Sequence, residues 1–266
     1  MSGRTFDLST ISVLWRRELL LFVRQKSRIV GTVAQPLLFW LGIGAGLAPT
    51  FRPGSGTTHY MEYFYPGVVV LMLLMSSMSA TMGVIEDRHQ GFLQGVLAAP
   101  GSRAALVLGK CLGASTVGLA QAALLLLLAP WAGFAPGSIR YPALVLALGL
   151  TALTLTAIGF AVAWWLDSIQ GYHVVMSVAL FPAWVLSGAM FPAEGLHPVM
   201  RALVVSNPLT YAVAAVRGAL GGAASGIAGN LAVVAAASVA AVILATWTCT
   251  RIPAAGGSPR RRRAAH

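Results

Sequence analysis

Six runs of roughly 20 residues, near 29–49, 64–85, 104–129, 142–166, 172–191 and 229–249, are apolar almost throughout. Each is long enough to cross ~30 Å of hydrocarbon as a helix. Five contain no Asp, Glu, Lys or Arg. The third contains Lys110, within two turns of its start, where its stem can snorkel toward headgroups. In lipid the backbone must satisfy its own hydrogen bonds, so runs of this length are helices. Charged residues make up 9% of the chain, far below the ~25% of soluble domains. Mean hydropathy is +0.78. These values exclude a soluble globule, a disordered chain, a collagen and a coiled coil. The expected fold is all-α: a polytopic membrane protein with six transmembrane helices.

The few charges are unevenly placed. Of 18 Lys and Arg, 14 fall before run 1, after run 6, or between runs 2 and 3 together with Lys110. Only Arg52, Arg140, Arg201 and Arg217 fall on the other side. The excess of basic residues on one side predicts that both termini lie in the cytoplasm. Basic clusters that flank apolar runs suit anionic lipid headgroups better than nucleic acid. Cys111 and Cys249 offer no disulfide framework and no metal spacing. The first 28 residues carry six basic residues and read as lacking a cleavable leader.

Residues 1–28 are expected to form a cytoplasmic amphipathic helix lying at the membrane interface. Trp15, Leu19 and Phe22 share one face at helical spacing, with Arg16, Arg17 and Arg24 off that stripe. Residues 29–250 would form the six-span domain and 251–266 a basic cytoplasmic tail.

Several chemistries lack their residues. Gly109-Lys110 is followed by Cys111 and preceded at 104 by Ala, so there is no phosphate-binding loop for nucleotide. No acid sits inside a run, as an ion-coupled carrier would require. Ser187-Gly188 follows Leu186 and Val185 and has no partner His, which favours small-residue packing over an intramembrane serine protease. The Gly109–Gly113 and Gly42-x-Gly44-x-Gly46 spacings also read as packing positions, and Gly218-x-x-x-Gly222-x-x-x-Gly226 as a flexible lead into run 6. A passive channel would need a ring of charge, and an enzyme would need clustered acids or metal ligands. The chain reads as non-enzymatic, without an energy source or a cofactor of its own.

The most informative segment is 86–103. Glu86, Asp87, Arg88 and His89 open it, Phe92, Leu93, Val96 and Leu97 follow at helical spacing, and Pro100-Gly101-Ser102-Arg103 closes it. This reads as a short helix with an acidic start that suits its dipole. A docking element and an ordinary solvated loop fit the composition equally well.

This segment, with Gly109-Lys110, resembles the signature loop of ABC type-2 transporter permeases, in which an acid and an Arg precede a Gly, a hydrophobic helix and a closing Pro-x-Ser-Arg. A second block agrees: Ser187-Gly188-Ala189-Met190-Phe191-Pro192, then Glu194, Leu196 and Pro198, then Asn207-Pro208-Leu209-Thr210-Tyr211 and Arg217. Gln35-Pro36-Leu37 adds a weaker third. The likeness covers about residues 12 to 250. Gln94 departs from the pattern, standing where many relatives carry Glu or Arg.

The resemblance implies a membrane subunit that pairs with a second permease copy, as a homodimer or with a close homologue, and with two separate ABC ATPase subunits that bind ATP and Mg. It implies a bacterial plasma (inner) membrane location. Residues 8 to 28 would be a connecting helix, 86–103 would carry a cytoplasmic coupling helix, and 192–228 would re-enter the membrane from outside. The ATPase-coupling residues would be Glu86, Asp87, Arg88, Gly91, Phe92, Leu93, Pro100 and Arg103, with Arg16, Arg17, Glu18 and Arg24 on the first helix. Polar and aromatic residues within runs are candidates for the substrate pathway: Gln35, Trp40, Ser76, Ser77, Ser79, Thr81, His173, Ser177 and Trp184. The expected activity is ATP-driven export of an amphiphilic drug, antibiotic or lipid. The alternatives are export of a polysaccharide or lipo-oligosaccharide by the same kind of permease, or an energy-independent channel.

Overall fold

The computed structural model describes residues 3–47, 60–99, 101–191, 197–222 and 226–251. The helices are α1 (Gly3–Arg24), α2 (Lys26–Leu47), α3 (Tyr60–His89), α4 (Phe92–Ala98), α5 (Arg103–Leu126), α6 (Tyr141–Trp165), α7 (Ile169–Trp184), α8 (Pro198–Ser206), α9 (Pro208–Leu220) and α10 (Ile227–Arg251). Six of them are long and apolar enough to cross a membrane: α2 from Ile29, α3, α5, α6, α7 with its extension to Ala189, and α10. They match the six apolar runs to within a few residues.

Cross-helix bonds sort the helix ends into two groups. At one end Arg88 reaches Trp164 O and Arg103 reaches Cys249 O, which gathers the ends of α3, α6 and α10 with the start of α5. At the other, Trp40 reaches Met61 O, Tyr65 reaches Leu125 O and Tyr63 reaches Gly188 O. We call these the loop end and the tyrosine end. Successive spans therefore run in alternate directions.

α3 is the centre of the bundle. Its 30 residues extend about 45 Å at 1.5 Å per residue, longer than the ~30 Å hydrocarbon needs. It packs against α2, α5, α6, α7 and α9. Phe64, Tyr65, Val68, Val69, Leu71 and Leu73 are fully buried, whereas α2, α7 and α10 turn most of their surface outward. Several hydroxyls inside the bundle are satisfied by their own helix: Thr151 donates to Ala147 O, Thr154 to Leu150 O and Thr81 to Ser77 O.

α7 contains Pro182 and ends in a π-turn, Val185–Ala189, in which Gly188 has φ 72°. A left-handed residue inside a helical run favours glycine. The turn packs closely on α3, since a Cβ on Gly67 would lie 2.6 Å from Ala189 Cβ. Beyond it, α8 and α9 meet at 76° around Asn207, whose side chain caps α9 by accepting from Leu209 N. The expected 192–228 segment is thus a bent helix pair. Its residues Pro192, Glu194 and Leu196 lie outside the described residues, as do Arg52, Pro100 and the 252–266 tail.

Three local expectations need correction. Glu86 and Asp87 do not open the short helix. They lie in the last turns of α3, and α4 begins after Gly91, which takes φ 77° to turn the chain. The stripe of Trp15, Leu19 and Phe22 does not describe how α1 packs on the bundle: Ile11, Leu14, Trp15 and Glu18 lie along Gly109 and Gly113 of α5. Those glycines let the two backbones approach closely, and the register turns Arg17 and Glu18 inward. Lys110 does not snorkel. It is 4% exposed and ion-paired inside the bundle.

Candidate functional site

Five of the expected coupling residues, Arg17, Glu18, Asp87, Phe92 and Leu93, meet at the loop end, where α1, α3, α4 and α5 come together. Asp87 lies on the buried side of α3 and accepts both arms of the Arg17 guanidinium, at 3.0 and 2.6 Å. Lys110 of α5 reaches Asp87 at 2.5 Å and Glu18 of α1 at 2.9 Å. Two cations and two carboxylates form a neutral network joining three helices. A bidentate arginine–carboxylate pair is directional as well as strong, so it sets the rotation of α1 relative to α3. Mutual neutralisation is what allows Lys110, Asp87 and Glu18 to be largely buried, with Arg17 a quarter exposed at their edge.

α4 rests on this network. Leu93 is buried, and the Phe92 ring lies under Arg17, 3.9 Å from guanidinium carbon to ring centroid. Phe92 and Leu93, both among the expected coupling residues, thus face the bundle, Phe92 half-buried and Leu93 fully buried. The outward surface is made by Gln94, Gly95, Leu97 and Ala98, with Leu97 37% exposed. Between α4 and α1 runs an open groove of about 450 Å³, walled by Ser9, Thr10, Val13, Phe92, Val96 and Ala99. Leu97 belongs to the helical pattern of the sequence but not to the expected coupling residues, and the groove carries no charge and no motif to mark it. The α1 register, set by Gly109 and Gly113, was the signal that could have located the groove.

The remaining loop-end residues divide into caps and surface groups. Arg88 donates to Leu166 O, Ala163 O and Trp164 O, satisfying the free carbonyls at the end of α6. It also lies 3.7 Å from Asp167. Arg103 caps α10 through Cys249 O at 2.6 Å. Asp7 of α1 accepts from Ser102 N at 2.7 Å at the start of α5, a contact the sequence reading did not anticipate. Glu86, Arg16 and Arg24 are exposed. Pro100 lies outside the described residues.

The tyrosine end is tied by a second cluster. Gly188 O accepts from Tyr63 Oη at 2.9 Å and from Arg217 at 3.1 Å, and the Arg217 guanidinium lies 4.3 Å from the Tyr63 ring centroid. Arg140 caps α9 through Gly218 O and Gly222 O. Gly218 therefore belongs to a capped helix end, and Gly221, at φ 140°, ends α9.

The pathway candidates separate by burial. Trp40, Ser76, Ser77, Thr81 and Trp184 are inside the subunit. Trp40 bonds Met61 O, Ser77 bonds Thr156, Thr81 bonds Tyr172 and Trp184 bonds Gly67 O. These are helix-to-helix contacts. Gln35 and His173 face outward, with Ser79 and Ser177 half-buried, and Ser177 pairs with His173 one turn away. Among the described residues, no three His, Cys, Asp or Glu side chains are grouped to hold a metal.

Comparison with known proteins agrees with this architecture. The sequence profile described as "ABC-2 type transporter" matches residues 9–220. A protein named as transport permease ycf38 in Cyanophora paradoxa is 25% identical over 80% of this chain and 74% of its own length. Nodulation protein J of Neorhizobium galegae is 26% identical over 78% and 79%. The daunorubicin resistance ABC transporter permease protein DrrB1 of Streptomyces coeruleorubidus is 23% identical over 81% and 76%.

Proposed function

The chain belongs to the ABC-2 type transporter family, a family of membrane permease subunits, and we propose that it is the permease of an ATP-driven exporter, powered by a separate ABC ATPase seated on its loop end. The observation that carries this reading is the arrangement of α4. It is held on a neutral ionic network that also grips α1 and α5, and it turns Leu97 and the α1 groove outward. A helix held this way moves as one body with the helices beneath it. Force applied to α4 is passed to α3 and α5 as a rigid displacement rather than lost in a loop. The loop end is cytoplasmic in this reading, which the distribution of Lys and Arg supports.

The permease acts as a pair with a second copy, and two ATPase subunits supply ATP and Mg. The cargo is an amphiphilic molecule taken from the cytoplasm or inner leaflet. The named likeness to a daunorubicin resistance permease supports a drug-like or lipid-like cargo. The test is co-purification. The tagged chain, co-expressed with its cognate ABC ATPase, retains the ATPase through detergent extraction and stimulates its hydrolysis. A chain that purifies alone and leaves hydrolysis unchanged overturns the proposal.

A further inference from the structure

A cleft of about 130 Å³ lies between α6, α7, α9 and α10, toward the tyrosine end. Leu155 and Ile158 form its floor on α6. Leu180 and Ala183 wall it on α7, Val234 and Ala237 on α10, and Leu209 and Ala212 close it from α9. The only polar side chains at its lining are Thr151, Thr154 and Asn207, and each is already engaged. Thr151 donates to Ala147 O and Thr154 to Leu150 O. Asn207 donates to Ala183 O and accepts from Leu209 N. The cleft offers almost purely apolar surface.

Two physical facts decide what can fill it. Water needs two to four polar partners to occupy a cavity, and no group here is free to supply them. An unfilled apolar space forfeits the dispersion contacts of every atom lining it. An apolar cavity of roughly this size, ~150 Å³, stays dry yet takes up a small hydrocarbon. The cleft is open on one side. α10 packs mainly on α6 and α9, while α7 packs mainly on α3 and only lightly on α6 and α9. The neighbouring outward side chains on those walls are Val178, Ala179, Val233 and Ala236. In a membrane-spanning bundle, such an opening faces hydrocarbon.

We propose that this cleft is a resident-lipid site that holds the acyl chain of a membrane phospholipid between α7 and α10. The headgroup is not recognised, because no charged residue lines the cleft. The chain acts as a wedge that keeps α7 off α10 and supports the underside of the α8–α9 bend. The inference rests on the six spans crossing a bilayer and is independent of the ATPase and of the cargo.

The test uses the full chain, purified and reconstituted in phosphatidylcholine vesicles carrying a photoreactive diazirine midway along one acyl chain. Peptide mapping after illumination is expected to show adducts at Leu155, Ile158 or Leu180 as well as on the outward faces. Ala183→Leu with Ala237→Leu fills the cleft. It is expected to lose the adducts at the cleft while keeping those at Val178 and Val233, which also reports that the variant is folded and embedded. Val178→Leu, on the outer face, is expected to keep the cleft adducts. The proposal is overturned if the unsubstituted protein shows no cleft adducts, the result for a dry cavity or for one filled by a second copy of the chain. It is equally overturned if the filled variant keeps them.

Discussion

Lys110 and Asp87 stand 23 residues apart in the chain and meet at 2.5 Å inside the bundle, with Glu18 of the first helix on the far side of the ammonium. Removing the one lysine leaves the network with a net negative charge where water is scarce. Lys110→Met is expected to destabilise the protein by about 3–5 kcal/mol. Adding Glu18→Gln restores neutrality and is expected to recover a substantial part of that loss. Thermal unfolding in detergent of the two single variants and the double variant measures it. Additive losses would show that the charges do not interact.

The seating of α1 depends on two missing side chains. A Cβ at Gly109 would lie 2.9 Å from Leu14 Cβ, and one at Gly113 would lie 2.7 Å from Glu18 Cβ. Gly109→Leu is expected to lift α1 off α5 and to cost about 1–3 kcal/mol. Limited proteolysis should then cut within residues 3–24 while the span helices stay protected. An unchanged cleavage pattern would mean that α1 is held elsewhere.

Two glycines at the π-turn fail for different reasons. Gly67 has no space for a methyl group, and Gly188 has the space but a φ of 72°. Gly67→Ala is expected to cost about 1–3 kcal/mol through overlap with Ala189, and Ala189→Gly should relieve only the part due to the Ala189 Cβ at 2.6 Å, since the residue 189 Cα would still lie 2.9 Å away. Gly188→Ala is expected to cost about 1–2 kcal/mol through the backbone alone, and Ala189→Gly should not help. The double variants separate the two causes by their melting temperatures.

Leu97 supplies the outward apolar contact of α4, whereas Phe92 and Leu93 support the helix from beneath. Leu97→Glu is expected to lower stimulation of the partner ATPase by at least roughly tenfold with the melting temperature unchanged. Phe92→Asp should lower both, because it sets a new carboxylate beside Arg17 and so disturbs the pairing of Asp87. Full stimulation by the Leu97→Glu protein would place the docking surface elsewhere.

The spans were legible in the sequence because a bilayer imposes a length and a polarity that few side chains can evade. The short helix was legible from the spacing of Phe92, Leu93, Val96 and Leu97, but its start was not: Glu86 and Asp87 read as its first turn, whereas Gly91, at φ 77°, ends the preceding helix and turns the chain into α4. Nor was the rotation of α1. A basic residue near a membrane helix reads as outward-facing unless its partner is known, and the partner of Arg17 lies 70 residues away. Lys110 was misread for the same reason. Arg88 and Arg103 were read as docking charges, although the carbonyls they cap belong to helix ends far along the chain.

The central claim is that the α4 end of the bundle is where an ATPase grips the permease, and a cysteine pair of opposite placement tests it most directly. Leu97→Cys puts a thiol on α4, and Trp131→Cys puts one at the tyrosine end, where Trp131 is 79% exposed. Cys111 and Cys249 are buried. With a short bifunctional crosslinker and the cognate ATPase present, the Leu97→Cys protein should form a covalent permease–ATPase product that changes in yield with nucleotide, and the Trp131→Cys protein should form none. Crosslinking through position 131, or none through position 97 in a complex that still co-purifies, would contradict the account.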